Sequence, residues 1–504
     1  MRTTSKPIFQ IIICAVTAFT ITSCHTSPDQ KHVNAPKTDV VPQKLSVKNM
    51  QDDLFILWSA IKELHPGYGI YTPADSLKKA YDKAYSSIQT PLTESEFMAQ
   101  VYPFLCQLRC GHTQLEHSAG YQTPKVPAEV HLPFEVLVRH HRAWITTHQI
   151  EKLNTGDEIV RINNVPVSEI IDHGYDLYCG DGYNETFKEL FLSEYDGFED
   201  ACNKYYHWKG PYQITLRTKQ GVLKTISANQ ASSDASSQTN TKEVDNYAGW
   251  TIAKNTGRLP LRFLNNSPTA LLTTLPFEYQ DTTIYKEAFR QIHQKGVKNL
   301  VIDMRHNSGG DIRVAVGLLS YLADSPFLIV KDAKSRIPNP ALNHFAKYFD
   351  TARTTNFNLG YKPGNKEGPW YHIETKPAFG KLYGPLPLAK TDHFDGKVFV
   401  LIDGATFSSG ALFTAALKAQ CKNVKFVGRE TAGAEEGPNG MVIQKLTLPN
   451  TKIIVDFPWM RVVSVAKKPV FGRGMMPDYE VDYQAEDIAD KRDLDLERVL
   501  SLIK

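Results

Sequence analysis

Apolar positions recur along this chain with two different periods, and the change from one to the other marks out its parts. Leu54, Leu57, Trp58 and Ile61 form one face of a helix that ends at His65-Pro66-Gly67. A second helix is expected over 74–88. A third follows Pro91-Leu92-Thr93, where Thr93 and Glu96 have capping-box spacing, and it carries Phe97, Val101, Phe104, Leu105 and Leu108. From 126 to about 226 the pattern turns to short strands at 134–138, 143–147 and 212–217. The turn–strand–turn stretch 153–167 lies between them, which suggests a compact β module. Residues 228–246 are rich in Ser, Thr, Asn and Gln and read as a flexible linker.

Beyond 247 strands and helices alternate. A strand at 270–274 is followed by an amphipathic helix at 284–295 and a buried strand at 298–303. That strand runs into Met304-Arg-His-Asn-Ser-Gly-Gly-Asp311, and a helix follows at 312–322. The run 398–402 is too short and too β-branched for a helix. Asp403-Gly404 breaks it, Thr406-Phe407-Ser408-Ser409-Gly410 turns tightly, and helical spacing resumes at Ala411. A further strand covers 424–427. Two strand–loop–helix units favour an α/β core over 247–485. The interval 326–392, rich in Pro, Gly and aromatics and without clear period, reads as an insertion near the site, and 486–504 as a C-terminal helix.

The composition changes this picture at one end only. Of 504 residues 42% are apolar and 22% charged, with a net charge of +3, which gives no electrostatic case for nucleic acid. Residues 1–24 differ: Arg2 and Lys6 precede an apolar run that ends in Ile21-Thr22-Ser23-Cys24. This reads as a signal peptide, too short for a confident membrane span. Its last residues resemble a bacterial lipobox, which implies lipidation of Cys24, a polar tether over 25–46 and a place in the cell envelope. Ordinary secretory cleavage near Ser23 is the alternative. His25 after the cysteine favours the outer membrane, on its periplasmic or surface side. Cys106, Cys110, Cys179, Cys202 and Cys421 remain, an odd number. Cys106 and Cys110 have the spacing of helical neighbours, so a disulfide between them is one pairing to test.

Three punctuated stretches carry the candidate chemistry. Strand, sharp turn with serine and helix at 398–417 would lift a hydroxyl above a sheet edge and aim backbone N–H groups at whatever it attacks. Asn307-Ser308-Gly309-Gly310 follows a buried strand, and its glycines allow N–H groups to turn toward a ligand. Gly428-Arg-Glu-Thr-Ala-Gly433 closes a third strand. Each alone is an ordinary turn. A phosphate loop is a poor reading of the glycines, because no Gly-Lys-Ser/Thr follows.

Taken in order, these stretches resemble the carboxy-terminal processing (tail-specific) serine peptidase family, which includes the catalytic core of tricorn protease. The match rests on Gly156-Asp-Glu-Ile-x-x-Ile-Asn163, Asp303-x-Arg-x-Asn-x-Gly-Gly310, the serine turn, Gly428-x-x-Thr-x-Gly433 and Gly474-Met-Met-Pro-Asp478, within about 50–485. The resemblance implies an α/β core of ClpP/crotonase type, an N-terminal helical domain over 47–118 and a PDZ-like module over 126–227 that binds peptide C-termini. It implies Ser408 as nucleophile with Ser409 as fallback, and backbone donors at Ser409 and at Gly309 or Gly310. The substrate would be a peptide or protein, with no metal or organic cofactor.

The departures from the family pattern concern the base. Ala434 stands where processing peptidases place a lysine, Ala411 replaces a glutamate, and Lys425 is no obvious substitute. His112, in Cys110-Gly-His-Thr-Gln-Leu115, resembles the Gly-His-Thr segment of tricorn-type members and is the expected general base. Between 462 and 476 there is no carboxylate to orient it. Glu430, Glu435 and Glu436 are the nearest candidates for a third member, with no choice among them. Arg305 and Asp303 are expected to hold the glycine turn, and His306 to lie on the surface. A zinc set of Cys106, Cys110, His112 and His117 fits no ordinary spacing. Two rivals stay open: an inactive relative that only grips peptides, and an esterase, which lacks a Gly-x-Ser-x-Gly elbow.

Overall fold

Five parallel strands frame the serine turn: Thr269–Thr273, Asn299–Asp303, Lys397–Ile402, Val424–Gly428 and Tyr479–Glu480 pair in that order. An antiparallel pair, Leu261–Leu264 and Trp250–Ile252, extends the sheet beyond the first of them. The central strands are apolar throughout because both faces are covered. Leu300 and Ile302 face a cluster that includes Phe289, Leu318 and Phe413 of three helices, Asp281–Gln294, Ile312–Ser320 and Ser409–Gln420. Val301, Phe399 and Val427 pack on the other face against Leu496 and Val499 of the C-terminal helix Leu494–Ile503. The computed structural model describes residues 43–121, 131–208, 210–229, 244–377 and 383–503. The expected signal peptide, Cys24, nearly all of the tether and most of the 228–246 linker lie outside these residues. Among them no helix is long and apolar enough to cross a membrane.

A second, antiparallel sheet stands beside this frame. Its longest strand, Ile454–Val463, pairs with Asn439–Thr447, with Asp332–Ser335 and with the two-residue strand Leu115–Glu116. The interval 326–392, expected as an insertion without clear period, does hold regular structure. It supplies Asp332–Ser335 and the hairpin Tyr361–Glu367/Trp370–Thr375 to this sheet. Its pattern was hard to read because the hairpin is largely exposed, so no apolar alternation marks it.

The N-terminal helices Val47–Leu64, Ala74–Ser87 and Glu94–Cys106 form as the apolar spacing predicts, the last with the Thr93/Glu96 capping box. They do not close a core alone. Leu54, Trp58 and Phe104 share one cluster with Phe349, Phe357, Phe457 and Trp459 of the second sheet and its flanking segments. Buried Asp53 adds a polar clasp, accepting from the N–H groups of Asn450 and Thr451.

The β module holds Phe134–Arg139, Arg142–His148, Glu158–Ile162, Tyr212–Arg217 and Leu223–Ala228 in one antiparallel sheet. It also contains helices at Val167–Tyr175, Thr186–Glu194 and Gly197–Ala201, which the reading as strands alone missed. Val167, Ile170, Ile171 and Gly174 already show the helical period, and these residues bury against the module's sheet. All five described cysteines are free. Cys106 Sγ lies 3.1 Å from Cys179 Sγ rather than facing Cys110, because the chain bends away after the third helix.

Candidate active site

The turn after Lys397–Ile402 is held from several directions. Asp403 accepts from the N–H groups of His306 and Ala405, Thr406 Oγ1 donates to the Met304 carbonyl at 2.9 Å, and Phe407 N–H donates to the Asn307 carbonyl at 3.0 Å. With both sides fixed, Ser408 takes φ 52° and ψ −122°, a conformation that L-residues seldom adopt. Helix Ser409–Gln420 starts immediately after it. Ser409 Oγ donates to the Gly310 carbonyl at 2.8 Å, so this hydroxyl is engaged in joining the two turns.

The glycine turn fits against the serine turn without room for side chains. A Cβ on Gly309 would lie 2.6 Å from Ser408 Cβ and 2.7 Å from Ser409 N, and both glycines have positive φ. Asn307 shapes the turn, its Nδ2 donating to the Leu275 carbonyl and its Oδ1 accepting from Gly309 N–H. Gly309 N–H is thus occupied. Among the described residues neither Gly310 N–H nor Ser409 N–H meets an acceptor. Of the two glycines expected to donate, Gly310 is the one with its N–H free.

His112 arrives from the other side, on the segment between the third helix and Leu115–Glu116. Its Nε2 is 3.0 Å from Ser408 Oγ. The ring lies between Phe407, at 4.5 Å between centroids, and Gly440, where a Cβ would be 3.2 Å from the imidazole. Gly111 N–H donates to Asp181 Oδ1 at 2.7 Å, and Thr113 Oγ1 bonds His65 Nε2 at 2.8 Å. Strand pairing of Leu115 with Val455 fixes the exit of the segment. Burial lowers the His112 pKa to about 4, so the ring is neutral at pH 7. With its proton on Nδ1, Nε2 can accept the Ser408 hydroxyl. This is the geometry of a hydroxyl activated by an imidazole.

None of the three glutamates considered as orienting acids touches His112, whose buried Nδ1 has no partner among the described residues. Glu430 is taken by Arg473 and by Gly474 N–H at 2.7 Å. Glu435 faces Lys418 at 3.7 Å. Glu436 Oε1 accepts from Tyr71 OH at 2.8 Å and from Gly472 N–H at 3.0 Å. Each acid serves a local turn or ion pair, and sequence distance to the serine gave no information about that. Lys425 is exposed and faces Asp478 at 3.6 Å. His306 is exposed beside Tyr195 and Asp403. Arg305 bonds Asp303, Asp493 and Asp495, tying the strand end to the C-terminal segment. Among the described residues no three His, Cys, Asp or Glu are grouped to hold a metal.

Two residues escaped the sequence reading. Asn307 was passed over as part of a glycine turn, and Asp181, in Cys179-Gly-Asp-Gly182, lies 69 residues from His112 with no local signal to link them. The loop 179–184 meets the site from several sides. Gly182 N–H donates to the Arg109 carbonyl, Tyr183 N–H to the Gly472 carbonyl, and Asn184 Nδ2 to the Thr431 and Ala432 carbonyls.

Residues 269–481 match the sequence profile of Peptidase family S41. No curated protein matches the chain. Among solved structures, mature CPAF complexed with lactacystin is 15% identical with a TM-score of 0.60, the match covering 91% of this chain and 97% of that one. Mature CPAF is 16% identical with a TM-score of 0.58, covering 90% and 96%. At such identities the likeness is one of fold.

Proposed function

Because residues 269–481 are a peptidase family S41 domain and the chain is a serine-type peptidase, we propose that it cleaves peptide bonds with Ser408 as nucleophile and His112 as base. One observation carries this reading: a strained, half-buried serine whose Oγ sits 3.0 Å from an otherwise buried imidazole nitrogen. Ser408 Oγ attacks the scissile carbonyl carbon while its proton passes to His112 Nε2. The oxyanion that forms is stabilised by the Gly310 and Ser409 N–H groups, and His112 then gives its proton to the leaving amine. Water repeats the sequence on the acyl-enzyme and restores Ser408.

The module around Phe134–Ala228 is read as PDZ-like, gripping an extended peptide by sheet addition and favouring substrates with an accessible C-terminus. Export and lipid attachment at Cys24, proposed from the sequence pattern, would place the enzyme in a bacterial cell envelope with its peptidase facing the periplasm or the surface.

Fluorophosphonate labelling of the purified protein, located by peptide mass spectrometry, tests the site. Label on Ser408 that vanishes in Ser408→Ala and falls sharply in His112→Ala is expected. Folded protein that takes no label, or carries it at another residue, would overturn the assignment.

A further inference from the structure

We infer that Asp181 is the positioning acid of this site, holding the His112 turn through Gly111 and supplying the negative charge that offsets the imidazolium formed during reaction. The inference rests on the Ser408–His112 reading and adds the member that Glu430, Glu435 and Glu436 do not provide. Asp181 is only 2% exposed, on the loop that ties the β module to both halves of the site. Its Oδ1 accepts from Gly111 N–H, next along the chain to His112. Its Oδ2 makes no close hydrogen bond among the described residues, Ala434 N–H being a looser donor to the carboxylate, and His112 Nδ1 has no partner among them. A carboxylate lone pair and an imidazole N–H are complementary, and leaving each unmatched in a buried site is costly. The chemistry also requires such a charge. A histidine that burial has pushed to about 4 takes a proton poorly unless a nearby anion stabilises the charged ring.

Tyr71 and Cys110 are neutral near pH 7, Arg461 favours the carboxylate, and Glu436 opposes it. Burial dominates and pushes Asp181 up to about 7, against the hydrogen bonds from the Gly111 and Ala434 N–H groups. Activity should therefore climb as pH rises through about 7, where the carboxylate ionises. Glu436, whose Oε2 is also buried and unpartnered, is the competitor, but its bonds go to Tyr71 and Gly472 rather than to the His112 turn.

The test measures hydrolysis of fluorescein-labelled casein and the fluorophosphonate labelling rate between pH 5.5 and 9. Asp181→Asn keeps an acceptor for Gly111 N–H but removes the charge. Its kcat is expected to fall about 100-fold, less than the roughly 10,000-fold seen when a triad acid bonded directly to the imidazole loses its charge, with KM within about threefold and the step near pH 7 gone. Asp181→Glu, which restores the charge, should recover part of the rate and the step. An Asn variant with wild-type rate and step overturns the inference. So does a loss of the step in Glu436→Gln but not in Asp181→Asn. If Asp181→Asn fails to fold, the wild-type profile decides: a labelling rate flat across 6–8 refutes a role for this carboxylate. Full activity in Ser408→Ala or His112→Ala would instead refute the underlying site, so the two failures are distinguishable.

Discussion

Gly309 shows how little freedom the site has at the scale of single residues. Its missing side chain lets the glycine turn approach Ser408 and Ser409 N within distances that no Cβ tolerates. In Gly309→Ala one of the two turns must move, and the Gly310 and Ser409 N–H groups lose their common focus. Activity is expected to fall about 100- to 1,000-fold, as for loss of an oxyanion donor, and the melting temperature to fall by a few degrees, because alanine is strained at φ 97°. A folded variant that is labelled at the wild-type rate would show that the turn has no such role. If Ser408 and His112 act as the proposed pair, Ser408→Ala and His112→Ala should each lose on the order of 10,000-fold or more in kcat, and the double variant little more. Ser408 could be singled out from Ser409 in the sequence only by resemblance. In the structure the two hydroxyls have different neighbours, His112 for one and the Gly310 carbonyl for the other.

At the scale of elements, His112 is presented by a short segment fastened at both ends. The helix Val47–Leu64 ends in His65, whose Nδ1 accepts from Gly67 N–H while its Nε2 bonds Thr113 beside His112. Burial lowers the His65 pKa to about 3. A histidine kept neutral in the fold but free to protonate at 6.5 when unfolded contributes full stability above 6.5 and loses it as pH falls toward 3. At pH 7.5 wild type should exceed His65→Gln by about 1–3 kcal/mol, the usual cost of disturbing a buried hydrogen bond. By pH 5 that advantage should shrink by about 2 kcal/mol, read by urea unfolding. An advantage independent of pH would mean that His65 is not held neutral. The helix itself was legible, because its apolar spacing is local. Its partners were not, because Phe457 and Trp459 lie some 400 residues away in sequence.

At the scale of the whole molecule, the N-terminal helices and the second sheet are one packing unit. Phe457 and Trp459 are fully buried only because the helices and the 341–357 segment cover them. A chain starting at residue 131 is therefore expected to expose a large apolar face and to aggregate, besides lacking His112. Sedimentation velocity checks this: a monomeric, cooperatively melting product would show that the helices form a detachable lid rather than part of the core.

Local pattern by itself determined the alternating strands and helices of the core, the three N-terminal helices and the glycine and serine turns. These depend on interactions within a few residues: period, capping and backbone freedom. Order and spacing of those turns, read as a resemblance, brought Ser408 and His112 into one hypothesis. Tertiary structure alone decided that Gly310 rather than Gly309 has a free N–H, that no candidate glutamate reaches His112, and that Asp181 lies against its turn. It also revealed the second sheet, assembled from segments beginning at 115, 332, 361, 370, 439 and 454. The physical reason is the same in each case. Hydrogen bonds and burial between distant segments depend on where the chain returns in space, and neither composition nor period records that return.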